Sequence, residues 1–316
     1  MEQKQNQNLR SWIIGLGVLL LVITIFQSNV SKPGSEVVAC PVGCSVETDP
    51  PIQGPLRILS LNMLHGHPDF AFLDQRIELL SQEIGRLEVD IVLLQEVPWN
   101  RKHGQTAQQL AEQGGFNYAY YRANGNLSLI GFEEGSTILS RFPLENISFA
   151  ELLPRAGFFE NRIVLHATAL TPQGPLDLFV THLTDGMESV NAAQIESLLA
   201  FVQNEAKHPA IVAGDFNAVE DSPQIIKLVG LWQDSYRLAN PEAVGATCCV
   251  VNLSNGSAAG LQKRIDYLFL APEADRAITE VEITRVFAEP FKIANGTLWL
   301  SDHAGLLATI NIESRP

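Results

Sequence analysis

The chain has 316 residues, 46% of them hydrophobic, with a formal net charge of −14. Neither Gly nor Pro is in excess and no repeat is visible, which fits one large or two small globular domains and excludes a disordered or repetitive chain. The acidic balance disfavours nucleic acid as a partner gripped through its phosphates, and the one tight basic cluster, Arg101-Lys102-His103, reads as a solvated loop.

At the N-terminus, Lys4 and Arg10 precede an uncharged run from Ser11 to Ser31 whose apolar core is Trp12 to Phe26. Basic residues ahead of an apolar core mark an export signal or a membrane anchor. The core is short, but the whole uncharged run approaches the ~20 residues of a spanning helix. No small-x-small cleavage box follows Phe26 directly. Residues 1–31 are therefore expected to stay as a transmembrane signal-anchor, with the remainder outside the cytoplasm, or secreted if the segment is cleaved. Residues 32–55 read as a tether. Val37-Val38-Ala39-Cys40 resembles a lipoprotein cleavage box but lies too far from the apolar core to favour lipidation. The four cysteines, Cys40, Cys44, Cys248 and Cys249, point to disulfides in an exported chain. Three connectivities are open, Cys40 with Cys44 among them. Adjacent Cys248 and Cys249 lack the spacing of metal ligands.

A strand is expected at Leu56–Leu61, ending at Asn62. Leu73, Ile77, Leu80, Ile84 and Leu87 keep helical spacing. Asp90–Leu94 is a buried-strand pattern ending at Gln95-Glu96. Further strands are expected at Ser136–Leu139, Arg162–Leu170, Leu176–Val180 (ending at Thr181-His182) and Ile211–Ala213. Ile195, Leu198, Leu199 and Val202 mark a helix. Arg264–Leu270 and Ala304–Ile312 complete the series. Strand, helix and strand alternate without an internal linker, so residues 56–316 read as one layered α/β domain.

Polar residues recur where these strands end: Asn62, Glu96, His182, Asp215 with Asn217, Asp266, and Asp302 with His303. Any one of them alone is ordinary turn chemistry. Taken in order, Leu61-Asn62, Leu94-Gln95-Glu96-Val97, Thr181-His182-Leu183, Gly214-Asp215-Phe216-Asn217-Ala218, Arg264-Ile265-Asp266-Tyr267 and Ser301-Asp302-His303 resemble the motif series of the endonuclease/exonuclease/phosphatase superfamily. Asp74 and Arg76 in the first helix, and Gly135–Pro143 as a central strand and turn, agree with it. The resemblance implies a four-layer sandwich: two mixed β-sheets face to face, with helices outside.

It also implies a divalent-metal-dependent phosphoester hydrolase, more specifically a phosphodiesterase. Glu96, Asn62 and Asp302 would hold Mg²⁺, or Mn²⁺ in its place, because hard cations take oxygen ligands. His303 is the candidate base, with Asp266 orienting its ring. A carboxylate beside that ring favours the protonated form and a stabilising role instead. Asp215 and Asn217 would meet the attacking water, and His182 would serve the leaving oxygen or the transition state. Arg162, Asn217 and His182 are the candidate phosphate contacts. His65 reads as supporting structure and His67 as a loop residue.

The motifs leave the substrate open. An acidic, anchored ectodomain favours a lipid headgroup phosphodiester. Phe287, Phe291 and Trp299 lie where sphingomyelinases of the superfamily carry a membrane-touching hairpin, although core positions account for them equally. An extracytoplasmic nuclease is the alternative, and a non-catalytic binding relative a more remote one. No protein partner is implied.

Overall fold

A computed structural model describes residues 2–30, 32–40, 44–45, 54–254, 260–271 and 276–314. In chain order the elements are α1 (Glu2–Val30), β1 (Val38–Ala39), β2 (Leu56–Asn62), α2 (Leu73–Arg86), β3 (Ile91–Asn100), β4 (Gly104–Gln105), α3 (Thr106–Gly114), β5 (Asn117–Asn126), α4 (Leu127–Ile130), β6 (Phe132–Ser140), β7 (Leu144–Leu152), β8 (Arg162–Thr171), β9 (Gly174–His182), α5 (Glu188–Glu205), β10 (Ala210–Asp215), α6 (Pro223–Val229), β11 (Gln233–Asp234), α7 (Ser235–Ala239), β12 (Asp266–Ala271), β13 (Arg276–Val286), β14 (Phe291–Ile293), β15 (Gly296–Leu298) and β16 (Gly305–Ser314).

The first sheet runs β1-β5-β6-β3-β2-β16-β13, with β4 on β3, and the second β11-β12-β10-β9-β8-β7. Each is mixed: β2 lies parallel to β3 and β9 parallel to β10, while their other pairings are antiparallel. The strands are apolar on both faces because each sheet is covered twice. In β2, Leu56 and Ile58 enter the core between the sheets, while Leu59 and Leu61 meet the α2 layer. In β10, Ile211 and Ala213 face the same central core, while Val212 joins α5 and α6. The layers are thus helix, sheet, sheet, helix, as the motif series implied.

The two expected helices, α2 and α5, and the expected strands are present, several of them longer than their apolar cores. β3 does not stop at Gln95-Glu96. It passes through a register shift between Leu94 and Val97 and continues to Asn100. β5 and β7, which the sequence pattern did not mark, flank the predicted strands. Trp299 and Phe287 are buried, and Phe291, half-buried at the start of the β14–β15 hairpin, packs against the cluster that holds Phe287, so these aromatics serve the core.

Two disulfides join Cys40 to Cys44 and Cys248 to Cys249. The first closes a short loop after β1 and sits against β5, where the Tyr118 amide donates to Cys40 Sγ at 3.1 Å. In α1 the side chains described are Trp12–Phe26 and Val30; Lys4 and Arg10 lie outside them. Among the described residues no helix is long and apolar enough to cross a membrane. The described apolar stretch is shorter than the ~20 residues of a span.

Candidate active site

The site lies where the core between the sheets opens at one end. Side chains alternate along a strand, so a polar residue two places beyond a core residue points into the same space. Asp215 continues the row of Ile211 and Ala213, His182 that of Leu178 and Val180, and Asp266 that of Leu270 and Leu268. These three are neighbours across the second sheet, Asp215 pairing with His182 on one side and Asp266 on the other. From the first sheet, Asn62 continues the row of Leu56 and Ile58. In β3 that row leads to Gln95, not Glu96. The bulge, with Glu96 at a φ of 53°, places Glu96 beside Asn62.

The two sheets meet through Asn62. Its Nδ2 donates to Glu96 Oε1 at 3.2 Å and to Asp215 Oδ2 at 3.1 Å, while its Oδ1 accepts from the Leu64 amide. Ser301 Oγ donates to the Asn62 carbonyl at 2.6 Å, holding Asp302 and His303 to the same end. His303 Nδ1 is 2.9 Å from Asp266 Oδ2, and its Nε2 is 3.8 Å from Asp215 Oδ2. His182 Nε2 lies 3.5 Å from the same Asp215 oxygen. Asn217, at a φ of 49°, turns its amide back to Asp215 Oδ1 at 2.9 Å and sets its Nδ2 3.0 Å from His182 Nε2. Arg162 Nη1 is 3.2 Å from His182 Nδ1. Every candidate catalytic, metal and phosphate residue read from the sequence therefore converges on one end of the sandwich. A cavity of about 710 Å³ opens there, lined by Glu96, Arg162, His182, Asp215, Asn217, Asp302 and His303 among others.

Electrostatics separates their roles. Burial opposes the charge on Glu96, but His65, His182, His303 and the Asn62 hydrogen bond hold it down to about 2. Burial and the neighbouring Asp266 push Asp215 up to about 7. Asp302 is raised by burial and by Glu96. Burial acts against the His303 cation, yet the charge and hydrogen bond of Asp266, with Asp215 and Asp302 beyond, raise it well above its ordinary value. His182 goes the other way: burial and the Arg162 charge hold it neutral.

Glu96, Asp302 and Asp215 put three carboxylates on the wall of one cavity. An oxygen-rich donor set of this kind fits a hard divalent cation. Among the described residues, the one His and carboxylate group close enough to share an ion is Asp215, Asp266 and His303. Asp266 and His303 are already hydrogen-bonded to each other, so they are read here as an acid–imidazole pair.

Other residues hold the frame. Arg76, a buried cation, donates to the carbonyls of Met63 at 2.6 Å, Leu64 at 2.9 Å and Leu300 at 3.2 Å, pinning the Asn62 loop to the Asp302 segment. Gly214 lies so close to β9 that a Cβ would overlap the Thr181 carbonyl. From α5, Asn191 Nδ2 donates to the carbonyls of Thr184 at 2.9 Å and Phe216 at 2.8 Å, fixing the loops after β9 and β10. Asp74 is peripheral, paired with His103. His65 supports Glu96 through its amide at 3.2 Å, and His67 stacks on Phe132.

Two features escaped the sequence pattern. Glu134 is buried and feels His65, Glu96 and Arg162; its signal was an acid inside a strand buried along its whole length. Thr247 holds Asp266 through its Oγ1, from a segment with no hydrophobic period.

The endonuclease/exonuclease/phosphatase family model matches residues 59–303, a span that contains every motif above. The chain belongs to this family. Family members hydrolyse phosphoester bonds and generally depend on a divalent metal. The fold is shared with an endonuclease/exonuclease/phosphatase family protein from Leptotrichia buccalis at 18% identity and a TM-score of 0.60, covering 81% of this chain and 99% of that one. It is shared with truncated Caenorhabditis elegans TDP2 at 16% identity and a TM-score of 0.61, covering 81% and 97%. A mannosyl-6-phosphatase from Bacteroides thetaiotaomicron has 15% identity and a TM-score of 0.60, covering 81% and 99%. No curated protein matches the sequence.

Proposed function

We propose that this family member is a divalent-metal-dependent phosphodiesterase, attached to a membrane outside the cytoplasm, whose substrate is a lipid headgroup phosphodiester. The observation that carries the reaction class is one cavity lined by Glu96, Asp215, Asp302 and His303, with Asp266 bonded to His303 from behind.

Glu96 and Asp302, with Asp215 beside them, would hold Mg²⁺ or Mn²⁺, while Asn62, expected as a ligand, turns its Nδ2 to Glu96 and Asp215 and its Oδ1 to the Leu64 amide and so holds the carboxylates in place. The cation would supply positive charge to a phosphate already surrounded by negative oxygens. The chain's own residues do the rest. Asp215, with a pKa near 7, is poised to take a proton from the attacking water, and Asn217 and Asn62 fix its two oxygens. His303, kept cationic by Asp266, faces the charge that grows on the phosphoryl oxygens and acts as stabiliser rather than base. Arg162 binds the substrate phosphate. His182, neutral, accepts from Arg162 at Nδ1 and so keeps its one proton on Nε2, from which it gives the leaving side a hydrogen bond rather than a cation.

Three features support the lipid reading. The described apolar residues of α1 are exposed from Trp12 to Phe26, and Val22, Ile25 and Phe26 lie beside Asn126, Ser128 and Leu129 at the site end of the first sheet. The loop before Arg162 exposes Phe158 by 49% and Phe159 by 38%, and Met187 and Val219 line the cavity from exposed positions. Asp185, Glu188 and Asp221 line the cavity too, and their charge opposes a polyanionic strand. The bilayer would then face the site.

The test is hydrolysis of bis-p-nitrophenyl phosphate, followed by a panel of DNA, RNA, sphingomyelin, phosphoinositides and mannose 6-phosphate. Mg²⁺-dependent hydrolysis lost in His303→Ala supports the reaction class. Inertness toward every substrate would return the chain to a binding role, and preference for DNA would return it to a nuclease.

A further inference from the structure

We infer that Thr247–Val250, closed by the Cys248–Cys249 disulfide, is a clamp that sets the Asp266–His303 pair, so that reducing this disulfide slows hydrolysis. The inference rests on the phosphoesterase reading above.

The two members of the pair come from different layers. Asp266 opens β12 in the second sheet, and His303 precedes β16 in the first. Thr247–Val250 is bonded to both. On the His303 side, the Ala304 amide donates to the Thr247 carbonyl at 2.7 Å and the Val250 amide donates to the Asp302 carbonyl at 2.9 Å. His303 is thus tied through the residue before it and the residue after it. On the Asp266 side, Thr247 Oγ1 accepts from the amides of Ile265 at 3.3 Å and Asp266 at 3.2 Å. Cys248 and Lys263 exchange two backbone hydrogen bonds, at 3.0 and 2.9 Å. Cys248 makes β-bridges to Lys263 and to His303, standing between the segments that lead into β12 and β16.

The covalent closure falls in the middle of this segment, and both cysteines line the catalytic cavity. Cys249 is half-buried there, within reach of a small reductant. A dithiol delivers two electrons and two protons: the Sγ–Sγ bond breaks, both sulfurs leave as thiols, and the dithiol closes to its own disulfide. The main chain of Cys248 and Cys249 then regains rotations that the ring forbade. Misplacing a reacting group by ~1 Å costs on the order of 10²-fold in rate. A looser clamp therefore lowers turnover, while Glu96, Asp215 and Arg162, which Thr247–Val250 does not hold, keep their places in the cavity.

The other disulfide, Cys40–Cys44, lies by β1 and β5 and provides the control. The full chain carrying Cys40→Ser and Cys44→Ser would be assayed with Mg²⁺ and bis-p-nitrophenyl phosphate before and after treatment with dithiothreitol. Amide hydrogen exchange over residues 247–250 and 302–304 would be followed in parallel. The expected result is a kcat reduced about tenfold or more with KM changed less than about twofold, faster exchange over both segments, and recovery of both on reoxidation. Cys248→Ser with Cys249→Ser should match the reduced protein; if that variant fails to fold, reduction of the native pair decides. Unchanged exchange on reduction would overturn the clamp. So would faster exchange with unchanged kcat, which is the pattern of a disulfide that only staples its loop. Should the oxidised protein hydrolyse no phosphoester, the reaction class fails, and the exchange data alone decide the clamp.

Discussion

Asp215 and His303 face each other and both hold their protons above the ordinary range, the acid toward neutrality and the imidazole toward its cation, with consequences for pH. An unfolded Asp releases its proton near 3.8, whereas folded Asp215 keeps it up to about 7. This group therefore lowers stability as pH rises between those values. The proposed mechanism needs Asp215 ionised and His303 cationic, so kcat/KM is expected to rise through about pH 7 and fall at higher pH, as His303 loses a proton it holds well above its usual range. Asp215→Asn should remove the rising limb along with most of the activity. A profile flat across that region would contradict the assignment. Asp177 has the opposite sign. Burial opposes its charge, but His166, Thr168 and the Lys207 amide hold its carboxyl below 3.8. Its contribution is present above the unfolded value and lost as pH falls through the folded one. Asp177→Asn should cost about 2 kcal/mol in urea unfolding at neutral pH and less in acid.

Among the elements, α2 and β10 shape the site most directly, and each does so through one residue. Arg76 carries a buried charge from α2 to the carbonyls of Met63, Leu64 and Leu300, and burial lowers its pKa to about 10. Arg76→Met would leave those carbonyls unsatisfied. A loss of about 3 kcal/mol is expected, with weaker Mg²⁺ dependence because the Asn62 and Asp302 segments come apart; chemical denaturation and a metal titration would read the two effects. Gly214 in β10 approaches the Thr181 carbonyl at a φ of 149°. Gly214→Ala should force β9 and β10 apart, separating Asp215 from His182, and cost at least about 3 kcal/mol. These elements were legible because α2 keeps a helical spacing and β10 is a short apolar run ended by Gly-Asp. β5 was not, since Asn117–Asn126 mixes Tyr, Ala, Asn and Gly without a period, and only its place between β1 and β6 makes it a strand.

For the molecule as a whole, the proposed orientation puts α1, Leu129, Phe158 and Phe159 on the side that bears the cavity. Phe158→Asp with Phe159→Asp should lower binding to phosphatidylcholine vesicles, most clearly in a chain lacking residues 1–31. It should leave hydrolysis of a soluble diester within about twofold, because neither ring lines the cavity. Equal vesicle binding by both forms would remove the rim from the membrane reading.

The order of the polar strand-end motifs already determines the family, the four layers and nearly every residue of the site. Apolar runs ended by Asp, Asn or His are a local pattern, and alternation along a strand sets which way each end points. Three things needed the tertiary structure. The bulge that brings Glu96 inward depends on pairing with β6 and β2, which the β3 sequence does not encode on its own. The protonation of Asp215 and His303 depends on burial and on Asp266, 51 residues from one and 37 from the other in the chain. The place of Thr247–Val250 against both sheets, and of the adjacent cysteines in the cavity wall, follows from long-range hydrogen bonds. No periodicity announces them, because this short segment is buried through Thr247, Cys248 and Val250 without forming a regular element.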